Sequence, residues 1–171
     1  TSMIGAIGER FNGSALLGKG KYFVAEADES DGSFLALSPT YAVITNIDAE
    51  HLDFYSDINQ IMQVYLDFAN NTLSAGAVIC YGDDVNVKKI IPKIKNKLLT
   101  YGFRPSNMLR AEKLKFNKTE SEYVCIYNKQ TLGNVKLNLT GEHNILNSMA
   151  AILLGLDISI KFDDIRNAIE K

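Results

Sequence analysis

The chain has 171 residues, 46% of them hydrophobic, enough to bury a core and suited to one domain. Eighteen basic side chains against twenty acidic ones give a net charge of −2, and no basic run is long enough to follow a phosphate backbone, so nucleic acid is not an expected partner. The apolar runs fall far short of the roughly 18 residues a membrane span needs, and no basic flank followed by an apolar stretch opens the chain, so no membrane partner is expected. Cys80 and Cys125 lie in strand-like runs without metal-ligand spacing, which reads as two reduced core thiols of a cytoplasmic protein.

Short apolar runs bounded by turn residues recur as SMIGAIG, KYFVAEA, YAVITNI, AGAVICYG and KLLTYGF. Most do not alternate, the pattern of parallel strands covered on both faces. Helical spacing lies between several of them. In SDINQIMQVYLDFANN, Ser56 is placed as the N-cap, with Ile58, Ile61, Met62, Tyr65, Phe68 and Ala69 on one face. A second helix is expected over DVNVKKIIPKI, with Asp83 or Asp84 near its start and Pro92 near its end. Residues 107–139 alternate in part (KLKFN, YVCIY, VKLNL) and break at Asn117 to Ser121 and at Asn128 to Gly133, which reads as an antiparallel meander. GEHNILNSMAAILLGL follows as a helix burying Leu146, Met149, Ala150, Leu153 and Leu154, and a short helix starts near Phe162. The fold class is therefore α/β: a mostly parallel sheet flanked by helices (about residues 1–105 and 140–171) with a small antiparallel meander (about 107–139), in one domain over 1–171.

Three clusters carry chemistry. VAEADESDGSF, Val24 to Phe34, sends a short apolar strand into a run of carboxylates that starts at Glu26. Ligands in open α/β sheets gather at the carboxyl ends of strands, and a buried carboxylate needs a partner. The plain alternative is an exposed edge carboxylate or one paired with Lys or Arg. YAVITNI runs into NIDAEHLDFY, placing Asn46, Asp48, Glu50, His51 and Asp53 at the end of a second strand. A histidine in an acidic loop is commonly solvated, but proximity to the Glu26 cluster would make one site; oxygen ligands suit magnesium, and the histidine fits manganese or zinc. In GEHNILNSMAA, His143, Asn144 and Asn147 fall on the first turns of a helix, where amide and imidazole groups can read a base edge or hold an anion. Ordinary capping by Asn144 or Thr140 is the alternative.

VAEADESDGSFLALSPTYAVITNIDAEHLDFY followed downstream by GEHNILNSMAA resembles the central ATPase domain of the Mur ligases over essentially the whole chain. The alanine-adding branch is the better match, because the branch that recycles murein tripeptide usually has a tyrosine in place of Ser30 and extra residues before the next strand. Some relatives use a carbamylated lysine downstream of the metal histidine; no lysine lies between His51 and Lys88, which also fits the alanine-adding branch. The resemblance implies that Glu26 and His51 are Mg2+ ligands (Mn2+ being possible), with Glu26, His51, Asp28 and Glu29 catalytic. It implies that His143, Asn144 and Asn147 surround the adenine of ATP. It places Asp28, Glu29, Ser30 and Asn46 where UDP-N-acetylmuramate and L-alanine meet. The implied chemistry forms an acyl phosphate from the substrate carboxylate and the γ-phosphate of ATP; the alanine amine then displaces phosphate through a tetrahedral intermediate.

The chain departs from the family in one respect: it has no glycine-rich GTHGKT-type loop, whose amides and lysine cradle the phosphates. It begins without Met and ends in a helical pattern without a stop signal, so it reads as a piece of a longer chain, with that loop, a UDP-binding domain and a C-terminal domain expected outside it. Two other readings stay open. One is a non-catalytic nucleotide-binding module. The other is a metal-dependent phosphohydrolase built on Glu26, Asp48, His51 and Asp53.

Overall fold

The computed structural model describes residues 1–8 and 13–170, with backbone alone for 6–8. It divides into two compact units, Thr1–Ala36 and Leu37–Lys171.

The first unit holds a three-stranded sheet in the order β2-β1-β3, with β1 at Ser2–Gly8, β2 at Gly13–Leu16 and β3 at Val24–Ala25. β1 pairs antiparallel with β2 and parallel with β3. The antiparallel pair was not expected from the apolar runs. Its cause is connection length: the few residues between β1 and β2 can join antiparallel strands, whereas a parallel pair needs a crossover of about a dozen or more. KYFVAEA, expected to be covered on both faces, yields a strand of only two residues on the sheet edge, and both are exposed. After it, Asp28 Oδ1 accepts the Ser30 N–H and Asp31 Oδ1 accepts the Ser33 N–H, each at 2.9 Å. These two turns lead into a 3-10 turn at Ser33–Ala36 that buries Phe34.

The second unit is built on a six-stranded sheet in the order β4-β5-β6-β7-β8-β9: Tyr41–Ile44, Ala77–Tyr81, Leu98–Gly102, Leu109–Phe116, Ser121–Tyr127 and Gln130–Leu137. β4 to β7 are parallel, and β7, β8 and β9 form the antiparallel meander on the same sheet. Asn128 and Lys129 turn β8 into β9 with φ of 48° and 70°, the two-residue turn whose twist suits a hairpin.

Among the described residues, four helices flank this sheet: α1 (Ile58–Asn70), α2 (Val87–Ile90), α3 (Glu142–Asp157) and α4 (Phe162–Ile169). β5 shows why its sequence does not alternate. Ala77 and Ile79 enter one core cluster with Ile145, Met149, Ile152 and Leu153 of α3, while Val78 and Cys80 enter another with Ile61, Leu66 and Ala69 of α1 and Val87 and Ile90 of α2. Both faces are covered, so every position is apolar. Burial drives both thiols up to about 12, and neither forms a disulfide.

Three local expectations are corrected. The N-cap of α1 is Asp57, whose carboxylate accepts the Asn59 and Gln60 N–H groups; Ser56 stands one residue earlier and donates its N–H to Gln60 Oε1. The helix expected over 84–94 shrinks to α2 plus a 3-10 turn at Ile91–Lys93, because Pro92 has no N–H to continue the ladder and its ring crowds the preceding turn. Along α3, Leu146 and Leu154 are only half-buried, and Ile145, Ser148 and Ile152 are buried instead. Among the described residues, no helix is long and apolar enough to cross a membrane.

Candidate active site

In the first unit, Glu26 directly follows β3 and continues its pairing, donating its N–H to Met3 O at 2.9 Å. Its side chain is exposed and lies across β1, with Oε2 accepting the Gly5 N–H at 2.6 Å. The other oxygen accepts no hydrogen bond among the described residues. Asp28 is exposed, Glu29 and Ser30 are half-buried, and the Asp28 carboxylate fixes the Ser30 backbone. Hydrogen bonds from Ser33 hold the Asp31 carboxyl below its ordinary range. Much of the acidic run is thus engaged with its own backbone. The repeated Asp-x-Ser spacing in DESDGS is the local sequence signal for these turns.

In the second unit, the strand exits share one edge of the sheet. The loop after β4 is pinned by two fully buried side chains, Ile47 and Tyr55, and by Asn86, whose Nδ2 donates to Ile47 O at 2.8 Å. Asn46 is exposed and donates to Asp48 Oδ2 at 2.6 Å. His51 is half-buried at φ 54°, and its carbonyl accepts the N–H groups of Phe54 and Tyr55, both at 2.9 Å. Its imidazole therefore stands on a tight turn braced by the buried Tyr55 ring.

At the exit of β5, the acids expected near a helix start do different work. Asp84 Oδ1 accepts the Asn86 and Val87 N–H groups and so starts α2. Asp83, with its side chain 7% exposed, turns the other way and accepts the Phe103 and Arg104 N–H groups and the Asn107 amide, fixing the loop between β6 and β7. Gly82 admits this packing, since a Cβ there would lie 2.1 Å from Asn107 Oδ1.

α3 runs against the parallel strands. Near its C-terminus, Asp157 takes the Tyr41 hydroxyl at 3.0 Å and Lys97 Nζ at 2.5 Å, both at the amino ends of strands, and the helix packs on β5, β6 and β7. Its N-terminus therefore lies at the carboxyl edge. No side chain caps it: the N-cap is Gly141, Asn144 Nδ2 donates to Thr140 O, and Thr140 Oγ1 donates to Asn117 O. The capping roles considered for Asn144 and Thr140 are absent, and the Asn144 and Ile145 N–H groups donate to Gly141 O at 3.2 and 3.4 Å. His143 and Asn147 are exposed on successive turns and Asn144 is half-buried. The His143 ring folds over Gly141, where a Cβ would come within 2.7 Å of its Cε1.

These features define a helix-flanked α/β domain with polar side chains at the exits of its parallel strands and a helix N-terminus without a side-chain cap. The chain belongs to the Mur ligase family: residues 12–155 match the Mur ligase middle domain. It is similar to UDP-N-acetylmuramate--L-alanine ligase from Geotalea daltonii, at 44% identity over 163 residues, covering 94% of this chain and 36% of that protein. It is 38% identical over 171 residues to the protein of the same name from Desulforapulum autotrophicum, covering 100% of this chain and 38% of that protein. The chain thus spans about a third of the length of the curated relatives it matches. Among solved structures, UDP-N-acetylmuramate-alanine ligase from Thermotoga maritima shares the fold at a TM-score of 0.78 and 24% identity, covering 93% of this chain and 35% of that one. UDP-N-acetylmuramate:L-alanyl-gamma-D-glutamyl-meso-diaminopimelate ligase from Neisseria meningitides shares it at 0.84 and 23%, covering 98% and 56%.

Proposed function

We propose that this chain is the ATP-handling part of a bacterial cytoplasmic ligase that joins L-alanine to UDP-N-acetylmuramate in peptidoglycan precursor synthesis. One observation carries the reading: in a member of this family, α3 opens without a side-chain cap at the carboxyl edge of the parallel sheet and presents His143, Asn144 and Asn147 there. An open helix N-terminus with amide and imidazole groups suits a nucleotide. The names of the similar curated proteins support the alanine-adding branch.

Glu26 and His51 are each assigned as a ligand of a divalent ion on their own donor chemistry. The Glu26 carboxylate is exposed with one oxygen uncommitted among the described residues and suits magnesium, and the His51 imidazole stands on a braced turn and admits manganese. A bound divalent ion would neutralise charge that develops on phosphoryl and acyl oxygens. The remaining roles fall to this chain's own groups. Asn144 and Asn147 orient the base, with the His143 imidazole beside it. Asp28 shapes the loop that presents Glu29 and Ser30, which are assigned to substrate binding, as is Asn46 in the second unit. The amine must lose a proton as the amide bond forms, and Asp28 and Glu29 are the carboxylates assigned to that side. The phosphate-binding loop, the UDP-binding domain and the C-terminal domain belong to other parts of the parent chain.

The test is phosphate release from Mg-ATP with UDP-N-acetylmuramate, with and without L-alanine, for this chain, its full-length parent and the parent carrying Glu26→Ala. The expected result is turnover only by the unmutated parent and only with both substrates. Turnover by this chain alone, or by a parent indifferent to L-alanine, would overturn the reading.

A further inference from the structure

Acids outnumber cations among the charges that act on Tyr81, one of them, Glu142, on the first turn of α3. The Tyr81 phenol, at the end of β5, is held above its ordinary range first by burial and then by Asp83, Asp84 and Glu142, with Arg104 opposing. A triphosphate gains little from such surroundings. The neutral, amino-bearing edge of a purine gains more, because Glu142 can accept from it and the Asn144 and Asn147 amides can both donate and accept. The base end of a nucleotide, not its phosphates, therefore suits this corner.

A base also needs a surface to lie on. Tyr81 pairs in register with Tyr101 on β6, and the two rings stack with centroids 5.8 Å apart at 27°. Tyr101 is fully buried in the cluster that contains Ile145 and Met149 of α3, and Tyr81 is only partly buried against the same cluster. Tyr101 thus backs the Tyr81 ring, while Tyr81 itself, the last residue of β5, is only partly buried and lies within electrostatic reach of Glu142 on the first turn of α3. The Tyr81 hydroxyl makes no hydrogen bond with the described residues. A core-filling tyrosine would be covered more completely, and a solvated one would not be held by a stacked partner.

We propose that Tyr81 is the stacking platform for the purine base of the nucleotide, packing against its face while Asn144 and Asn147 read its edge; the inference rests on the nucleotide reading above. Stacking needs the ring and not the hydroxyl, so the two can be separated.

The experiment is saturation-transfer NMR with adenosine on this chain, alongside titration of the ligand shifts. Adenosine has no phosphates, so its binding does not depend on a phosphate-cradling loop. Tyr81→Leu, which keeps apolar bulk but removes the aromatic face, is expected to weaken adenosine about fivefold or more and to lower transfer to the purine protons relative to the ribose protons. Tyr81→Phe is expected to bind within about twofold of the unmodified chain. If Asn144→Ala weakens binding while Tyr81→Leu leaves affinity and transfer pattern unchanged, the platform is refuted and the nucleotide reading stands. If adenosine receives no saturation from the unmodified chain, or Asn144→Ala and Tyr81→Leu both bind it normally, the nucleotide reading fails and Tyr81 falls with it.

Discussion

The carboxyl edge of the second unit depends on one buried carboxylate, and removing it should cost far more than removing the cation beside it. Asp83 accepts the Phe103 N–H at 2.7 Å, the Arg104 N–H at 3.0 Å and the Asn107 amide at 2.9 Å. In Asp83→Ala the three donors fare differently. The exposed Arg104 N–H finds water. Asn107 is 8% exposed and keeps one bond, to Arg104 O at 3.2 Å. The part-buried Phe103 N–H loses its acceptor outright. Counting about 1–3 kcal/mol for that stranded donor and about 1 kcal/mol for the weakened Asn107, the variant should lose about 2–4 kcal/mol. The Arg104 side chain is 70% exposed with Nε 4.0 Å from Asp83 Oδ1, so Arg104→Ala should cost under about 0.5 kcal/mol. Urea unfolding followed by far-ultraviolet circular dichroism, extrapolated linearly to water, separates the two. A loss below about 0.5 kcal/mol in Asp83→Ala, or equal losses in both variants, would show that the loop is held by something other than this carboxylate.

Two further outcomes follow from the helix ends. Gly141 sits at φ 112°, where a side chain is strained, so Gly141→Ala should cost about 1–2 kcal/mol in the same assay. It should also push the His143 ring off the helix end and weaken adenosine; unchanged stability would mean that the backbone there relaxes freely. Asp57→Ala should destabilise α1. The Asp57 carboxyl is held below its ordinary 3.8, mainly by the Gln60 backbone N–H. A lowered folded-state pKa means that its contribution is present above about 3.8 and is lost as pH falls through the lower folded-state value. The gap in unfolding midpoint between the parent chain and Asp57→Ala should therefore be constant near neutrality and close under acid, and a gap that widens under acid would contradict the cap.

How far the sequence could be read depends on the range of the interactions involved. β5 was legible because burial on both faces leaves a local mark, a run in which Ala77 and Ile79 serve one cluster while Val78 and Cys80 serve the other. The meander was legible through partial alternation and the break expected from Asn128 to Gly133, of which Asn128 and Lys129 form the turn while Gln130 to Gly133 already belong to β9. The length of α2 was not, because helical spacing in VKKIIPKI competes with the missing N–H of Pro92, and the backbone settles the conflict with a 3-10 turn. Likewise the Glu26 oxygen spent on Gly5 joins residues far apart in sequence, which no local pattern reveals. Asp83 is the sharpest case. It read as one of two acids at a helix start, yet Asp84 alone serves the helix, while Asp83 reaches across to the next crossover and holds Phe103, Arg104 and Asn107. Residue type placed both acids at a strand exit. Which donors they meet was decided by how β5 and β6 lie side by side, and that same pairing sets Tyr81 against Tyr101 beside the start of α3.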